Sequence, residues 1–294
     1  MPISKADGVV LLSVPWLALV AAGCGKVANP GGLPADAPAT DAPDVEDAAI
    51  VDGLPLDGAT PGPPGSKDNP AHTCAELNLA KLPSAVYWVR DPAGQTPPFQ
   101  VYCEQQLDGG GWAMLENSVR RDDGKTTAFW QFKYADRLKQ LGTLAVDQNY
   151  YNGALYLIGK EYMDVFVDLQ GKTAVAAVMT AAGFNATTMQ FTAPTLTVGN
   201  AQVFNGQFAS GWSAQDFDGD AAATANCAGL YSNIAQHYND CWAYSLGSDA
   251  DMPVLDGGVG PHVINVVLTA LGLSLQTSGG TYSQVRRIAR FTRW

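Results

Sequence analysis

The chain has 294 residues, 47% of them hydrophobic and 15% charged, which is ample apolar material for one packed core and too much for a chain disordered throughout. Its formal net charge of −11, with no Lys/Arg run interleaved with aromatics, argues against nucleic acid as a partner. Length alone overcounts the folded part, because composition divides the chain into three unequal pieces.

Residues 8–20, GVVLLSVPWLALV, form an apolar run preceded by Lys5 and followed by Ala21-Ala22-Gly23-Cys24. The run is interrupted by Pro15 and too short for a comfortable membrane span, so it reads as the core of a signal peptide over residues 1–23. Its small-small-Gly-Cys ending resembles the bacterial lipobox. That resemblance implies a diacylglycerol on Cys24 and a lipid-anchored place on the bacterial cell envelope, at the outer membrane or cell surface. An ordinary cleaved signal, giving a secreted protein, is the alternative.

Residues 24–71 read as a disordered tether. From 25 to 71 stand nine of the 18 prolines and no Phe, Trp or Tyr, so the segment cannot bury enough apolar surface to offset its ordering entropy. A flexible chain of this length spans about 35–40 Å, enough to hold a folded head clear of a membrane. Residues 25–73 carry eight acids against two lysines, which keeps them solvated. The folded domain is expected over 72–294.

Five cysteines leave an odd one over, and lipidation of Cys24 accounts for it. For Cys74, Cys103, Cys227 and Cys241, pairing of near neighbours is one of three connectivities, and export makes disulfides chemically reasonable. Zinc is disfavoured, since the histidines are only His72, His237 and His262 and no CxxC occurs.

Within the domain a helical pattern covers 74–80, and strand signals follow at 86–89, 99–103 and 112–115. Gly109-Gly110-Gly111 supplies a reversal between the last two that only glycine follows easily; a phosphate-cradling loop lacks its Gly-Lys-Ser/Thr continuation and following helix. Leu138 and Leu141 are spaced for one helix face over 134–141. Residues 163–169 alternate as a strand. Strand-like 195–198 and 201–204 flank Gly199-Asn200, a two-residue hairpin signal. Near the end, Arg286, Arg287, Arg290 and Arg293 read as the exposed face of a terminal strand, or as an anionic-partner patch on a structural surface protein. The mixture is α+β with a mostly antiparallel central sheet and few short helices.

Asp216, Asp218 and Asp220 alternate on an irregular stretch, where carboxylates can converge on a hard cation such as calcium. An EF-hand is excluded, because counting from Asp216 puts Ala221 at the glycine position and Cys227 at the glutamate position. A solvated acidic turn is the alternative.

Cys74-Ala75-Glu76-Leu77, then Tyr102-Cys103-Glu104, then Gly109-Gly110-Gly111-Trp112 resemble the start of a fibrinogen-like C-terminal domain. Asp216 to Asp220, Asn226-Cys227-Ala228 and Cys241 resemble the calcium loop and second disulfide of the same family. The resemblance covers 72–294 and implies a fibrinogen-like domain with a loop-rich C-terminal calcium-binding subdomain. It implies a structural Ca2+ on Asp218 and Asp220, supported by Asp216 and completed by the carbonyls of Ala222 and Thr224. It also implies non-catalytic recognition of carbohydrate or acetylated glycan, in a pocket beside Cys241 containing His237, Tyr238, Asp240, Trp242 and Tyr244.

Aromatic faces beside carboxylates suit sugars, although a packed side chain under a loop is the alternative for each ring. Gln236-His237 stand where the family carries paired tryptophans. A homo-oligomer is left open. An enzyme is not expected: no G-x-S-x-G, H-E-x-x-H, P-loop or G-x-G-x-x-G occurs, and no nucleophile is tied by pattern to His237 and Asp240.

Overall fold

The computed structural model describes residues 61–294 apart from 95, 122–125, 210, 240–241, 248–259 and 277–279. Its elements begin with α1 (Cys74–Leu79), β1 (Ala85–Val89), β2 (Phe99–Glu104), β3 (Trp112–Val119), α2 (Thr126–Trp130), β4 (Gln140–Gly142) and β5 (Tyr150–Asn152). Then come β6 (Glu161–Val167), β7 (Thr173–Thr180), β8 (Gly183–Asn185), β9 (Gln190–Thr192), β10 (Thr195–Gly199), α3 (Ala201–Gln207) and β11 (Trp212–Ser213). The order closes with α4 (Cys227–Leu230), β12 (Gln236–His237), β13 (Tyr244–Ser245), β14 (His262–Ile264), α5 (Asn265–Ala270), β15 (Tyr282–Gln284) and β16 (Arg287–Arg293).

Alternate side chains of the long strands go to opposite faces, as the pleat requires. Trp112 and Met114 of β3, Met163 and Val165 of β6, and Ala289 and Phe291 of β16 enter one buried cluster. Ala113, Leu115, Tyr162, Phe166 and Ile288 enter a second, larger one. With both faces covered, these strands assemble into a nine-stranded antiparallel sheet in the order β1-β2-β3-β16-β6-β7-β10, with β5 on β3 and β4 on β5. Three small antiparallel sheets, β8-β9, β11-β12 and β13-β14-β15, carry the loop-rich remainder. The α+β, mostly antiparallel arrangement expected from the sequence is the one present.

The reversal between β2 and β3 brings Glu104 opposite Trp112. Gly110 and Gly111 take φ of 76° and 79°, and a Cβ on Gly111 would lie 2.8 Å from Ala75 Cα, so the glycines serve turn geometry and close packing on α1. A Cys74–Cys103 disulfide joins α1 to β2. At α1 the Thr73 hydroxyl accepts from the Glu76 N–H, and the Glu76 carboxylate accepts from the His72 N–H.

Several expectations are corrected. Residues 65–71, placed at the end of the tether by composition, belong to the folded body: Ala71 bridges Val89 in parallel and the Trp88 N–H bonds the Gly65 carbonyl. They cover an edge that β1 would otherwise leave open. The helix expected over 134–141 is one 3₁₀ turn, Tyr134–Asp136, followed by β4. Tertiary partners prevail there, since the Tyr134 N–H bonds Asp216 and the Lys139 carbonyl accepts from Gly153.

The hairpin expected at Gly199-Asn200 is instead the junction of β10 and α3. Asn200 Oδ1 accepts from Gln202 and Val203 N–H at 2.8 and 3.2 Å, capping the helix. Finally, β16 is not an exposed strand. It lies in the middle of the sheet between β3 and β6, and Arg290 is 1% exposed.

Candidate functional site

On β16 the pleat sends Arg290 to the larger-core face, directly opposite Asp164 of β6 on one side and Glu116 of β3 on the other. The register shift between Arg290 and Phe291 turns both Leu115 and Glu116 toward that face. A guanidinium offers five N–H donors. Here each finds an acceptor: Nε bonds Asp164 Oδ1 at 2.8 Å, Nη2 bonds Asp164 Oδ2 at 3.0 Å and Tyr244 Oη at 2.8 Å, and Nη1 bonds Tyr156 Oη at 3.0 Å and His237 Nδ1 at 3.2 Å.

Tyr244 donates to Asp164 at 2.8 Å and Tyr156 donates to Glu116 at 2.6 Å. Because Arg290 can only donate, His237 Nδ1 must accept, so the ring is the neutral Nε2–H tautomer donating to the Met189 carbonyl at 2.8 Å. Burial, and then the Arg290 charge, hold His237 well below its ordinary range. Burial raises Glu116 despite the opposing pull of Arg290 and Tyr156. Burial works against the Arg290 charge, yet Asp164 and the surrounding oxygens hold its pKa above the ordinary value.

This arrangement relocates two expected ligand contacts. His237 and Tyr244, 1% exposed each, are core members that a ligand could not reach without opening the domain. Tyr238 is also buried, its hydroxyl donating to the Ile234 carbonyl. It joins Cys227 and Ala228 in a small separate cluster against which Ala222, Tyr231 and Trp242 pack. Trp242 is half-buried, edge-on to Tyr231 at 5.6 Å and 4.8 Å from Tyr282, and its indole N–H has no partner among the described residues. Asp240, Cys241 and Cys24 lie outside the described residues; Cys227 is buried at the head of α4.

The acidic stretch forms a loop from β11 to α4. Ser213 Oγ donates to Asp220 Oδ2 at 2.8 Å and accepts from Gly219 N–H, while Ala222 N–H and Cys227 N–H bond Asp220 Oδ1 and Oδ2, both at 2.9 Å. Asp220 is thereby aimed by its own loop. Asp216 is diverted, accepting from Tyr134 N–H at 2.9 Å, and the Phe217 ring stacks on Tyr134 at 4.2 Å.

Asp218 is exposed; partial desolvation and then the Asp220 carboxylate raise its pKa, and no base pairs with either among the described residues. Two crowded carboxylates without a countercharge fit a hard divalent cation. No three His, Cys, Asp or Glu side chains converge as a metal group among the described residues, so such a cation would draw the rest of its shell from carbonyl and water oxygens. Ala222 and the exposed Thr224 stand on this loop, and Asp216 does not contribute to that pair.

The family model for the fibrinogen beta and gamma chains, C-terminal globular domain, matches residues 71–249, more than half of the chain. The chain belongs to this fibrinogen-like family. No curated protein matches it by sequence. Fibrinogen-like domains are in general non-enzymatic modules that bind ligands or partners. In this fibrinogen-like domain the matched segment contains the 213–230 loop, β12 and β13.

Sequence reasoning missed Asp164, Glu116 and Tyr156, and placed Arg290 on an exposed strand face rather than in the core. A signal was present in β6, where Asp164 shares a face with Tyr162 and Phe166: a lone carboxylate on an apolar strand face calls for a buried cation. A separate groove of about 530 Å³, lined by Phe99, Leu138, Leu155, Leu157 and Ile158 with Asp91, is too apolar to direct a hydroxyl-rich ligand.

Proposed function

We propose that this fibrinogen-like domain is a calcium-stabilised recognition module for carbohydrate or acetylated glycan, carried on a lipid-anchored tether at the bacterial cell envelope. The observation that carries the reading is the Asp218–Asp220 pair beside a partly open aromatic cluster. Calcium would be held by these carboxylates and would supply charge neutralisation that fixes the loop; the chain's own residues do the rest. Asp220, oriented by Ser213, ties the loop to the head of α4 through Cys227 N–H.

The α4 end presents Tyr231, against which Trp242 packs with Tyr282 behind it. The open part of the half-buried Trp242 ring would receive the C–H groups of a sugar, while its indole nitrogen is enclosed. His237 and Tyr244 act from beneath, holding the segment through Arg290. The buried position of Arg290 also removes the main support for an anionic-partner patch on the terminal strand.

A glycan array probed with the full chain, in calcium and in chelator, tests the reading. Binding to acetylated or neutral glycans that disappears in chelator and in Trp242→Ala is the expected result. Binding unaffected by both changes contradicts it.

A further inference from the structure

Residues 173–215 hold no Asp, Glu, Lys, Arg or His, a run of 43 residues in a chain that is 15% charged, where composition alone would place about six charges. The run contains β10, which ends the central sheet. At the opposite end β1 is covered by residues 65–71, whereas β10 is paired on one side only, to β7. Thr195, Thr197, Val198 and Gly199 are exposed, Val198 by 53%.

The unpaired N–H and C=O groups of an edge strand are a template for another strand, and exposed edges are ordinarily blunted by a lysine, a proline or an inward-facing charge. Within β10 there is none of these, since Pro194 stands before it. Along the sheet register the first charges lie two strands in, on β6: Glu161 is opposite Thr180 and Asp164 opposite Ala177, and each is paired to an arginine of β16. The one device present is a bulge. The register shifts between Leu196 and Val198, and Thr197 Oγ1 donates to the Val178 carbonyl at 3.0 Å. A bulge bends its strand, so a straight peptide would follow β10 along only part of its length. A second β10 related by a two-fold axis carries the same bend.

We propose that β10 is a dimerisation edge, pairing antiparallel with β10 of a second copy of this chain so that the two central sheets become one. The same patch serves both copies, and such a contact closes at two. Main-chain hydrogen bonds hold the two edges together, and Val198 of each copy adds apolar area withdrawn from water. Charge selects the occupant. Two chains of net charge −11 repel, and the surface on which they can meet at least cost is one that brings no further charge together, which the 173–215 run supplies. A charged peptide would find no counter-ion on β10. This strand takes no part in the calcium and glycan reading, so the inference does not depend on it.

Sedimentation velocity of the full chain over a range of concentrations, in low and in high salt, tests the assignment. The expected result is a monomer–dimer equilibrium that salt leaves unchanged or tightens, because screening relieves the repulsion between copies. Val198→Lys should raise the dimer Kd at least about tenfold, since each ammonium would be carried against an uncharged edge and toward its twin, with unchanged melting because the side chain is exposed. Thr195→Lys, also exposed, should act in the same direction and repeats the test at the other end of the strand. Leu79→Lys, at a residue 81% exposed on α1, should leave the dimer intact. A monomer at every concentration, a stoichiometry other than two, association that weakens in high salt, a dimer that survives both edge lysines, or equal loss in Leu79→Lys each overturns the proposal.

Discussion

Arg290 has no exposed donor and no unmet one, so its energetic weight comes from what its removal leaves behind. In Arg290→Met the Asp164 carboxylate stays buried without its cation, a loss of about 3–5 kcal/mol, read as a lower urea midpoint. Adding Asp164→Leu should recover part of that loss, because two apolar groups replace two buried charges; a double variant weaker than the sum of the single changes contradicts the pairing.

Glu116 and His237 give the same cluster a pH signature with opposing signs. Glu116 is raised above its ordinary 4.5, so the folded chain keeps a proton the unfolded chain releases. Its contribution is complete below about pH 4.5 and is lost as pH rises toward the folded value. His237 is lowered below its ordinary 6.5, so its contribution is present above about pH 6.5 and is lost as pH falls. Glu116→Gln should therefore gain stability relative to the parent chain at pH 8 compared with pH 5, and an equal difference at both pH values contradicts the assignment. The sequence hid this cluster because arginines spaced along a last strand look solvated until the topology places that strand between two others.

At the scale of elements, legibility followed local determinants. The α1 helix, the β1 and β2 strands and the glycine reversal before β3 are dictated by neighbours in sequence, and each is found where composition and spacing put it. The 134–141 segment was misread because its partners, Asp216 and Gly153, are remote. Gly199-Asn200 was misread because one dipeptide serves both a hairpin and a helix start.

The capping role has its own test. Asn200→Ala should destabilise by about 1 kcal/mol and Asn200→Asp much less, since aspartate also accepts the Gln202 and Val203 N–H groups. Equal losses in the two variants, measured by thermal melting, contradict it. At Gly199, with φ 103°, any Cβ would meet the Ala176 carbonyl oxygen at 2.5 Å, so Gly199→Ala should be the more damaging neighbour.

Across the whole molecule the sequence made the domain and its family legible through widely separated motifs, whereas the fate of each aromatic near Cys241 depended on which face the sheet offered it. His237 and Tyr244 went inward to Arg290, and Trp242 stayed at the loop. The Cys74–Cys103 link holds the N-terminal end of this body, and on the chain-entropy model its removal should lower stability by about 3–4 kcal/mol. A Cys74→Ala plus Cys103→Ala variant with an unchanged urea midpoint contradicts that.

The claim on which recognition most depends is the cation at Asp218 and Asp220, and calorimetric melting of the full chain in 10 mM calcium against chelator measures it directly. With a Kd of about 10⁻⁴ M, binding to the folded state alone adds about 2.7 kcal/mol, a rise in Tm of about 5–10 °C. That rise should vanish in Asp218→Ala plus Asp220→Ala. Identical melting with and without calcium in the parent chain, or a rise that survives in the double variant, contradicts the account.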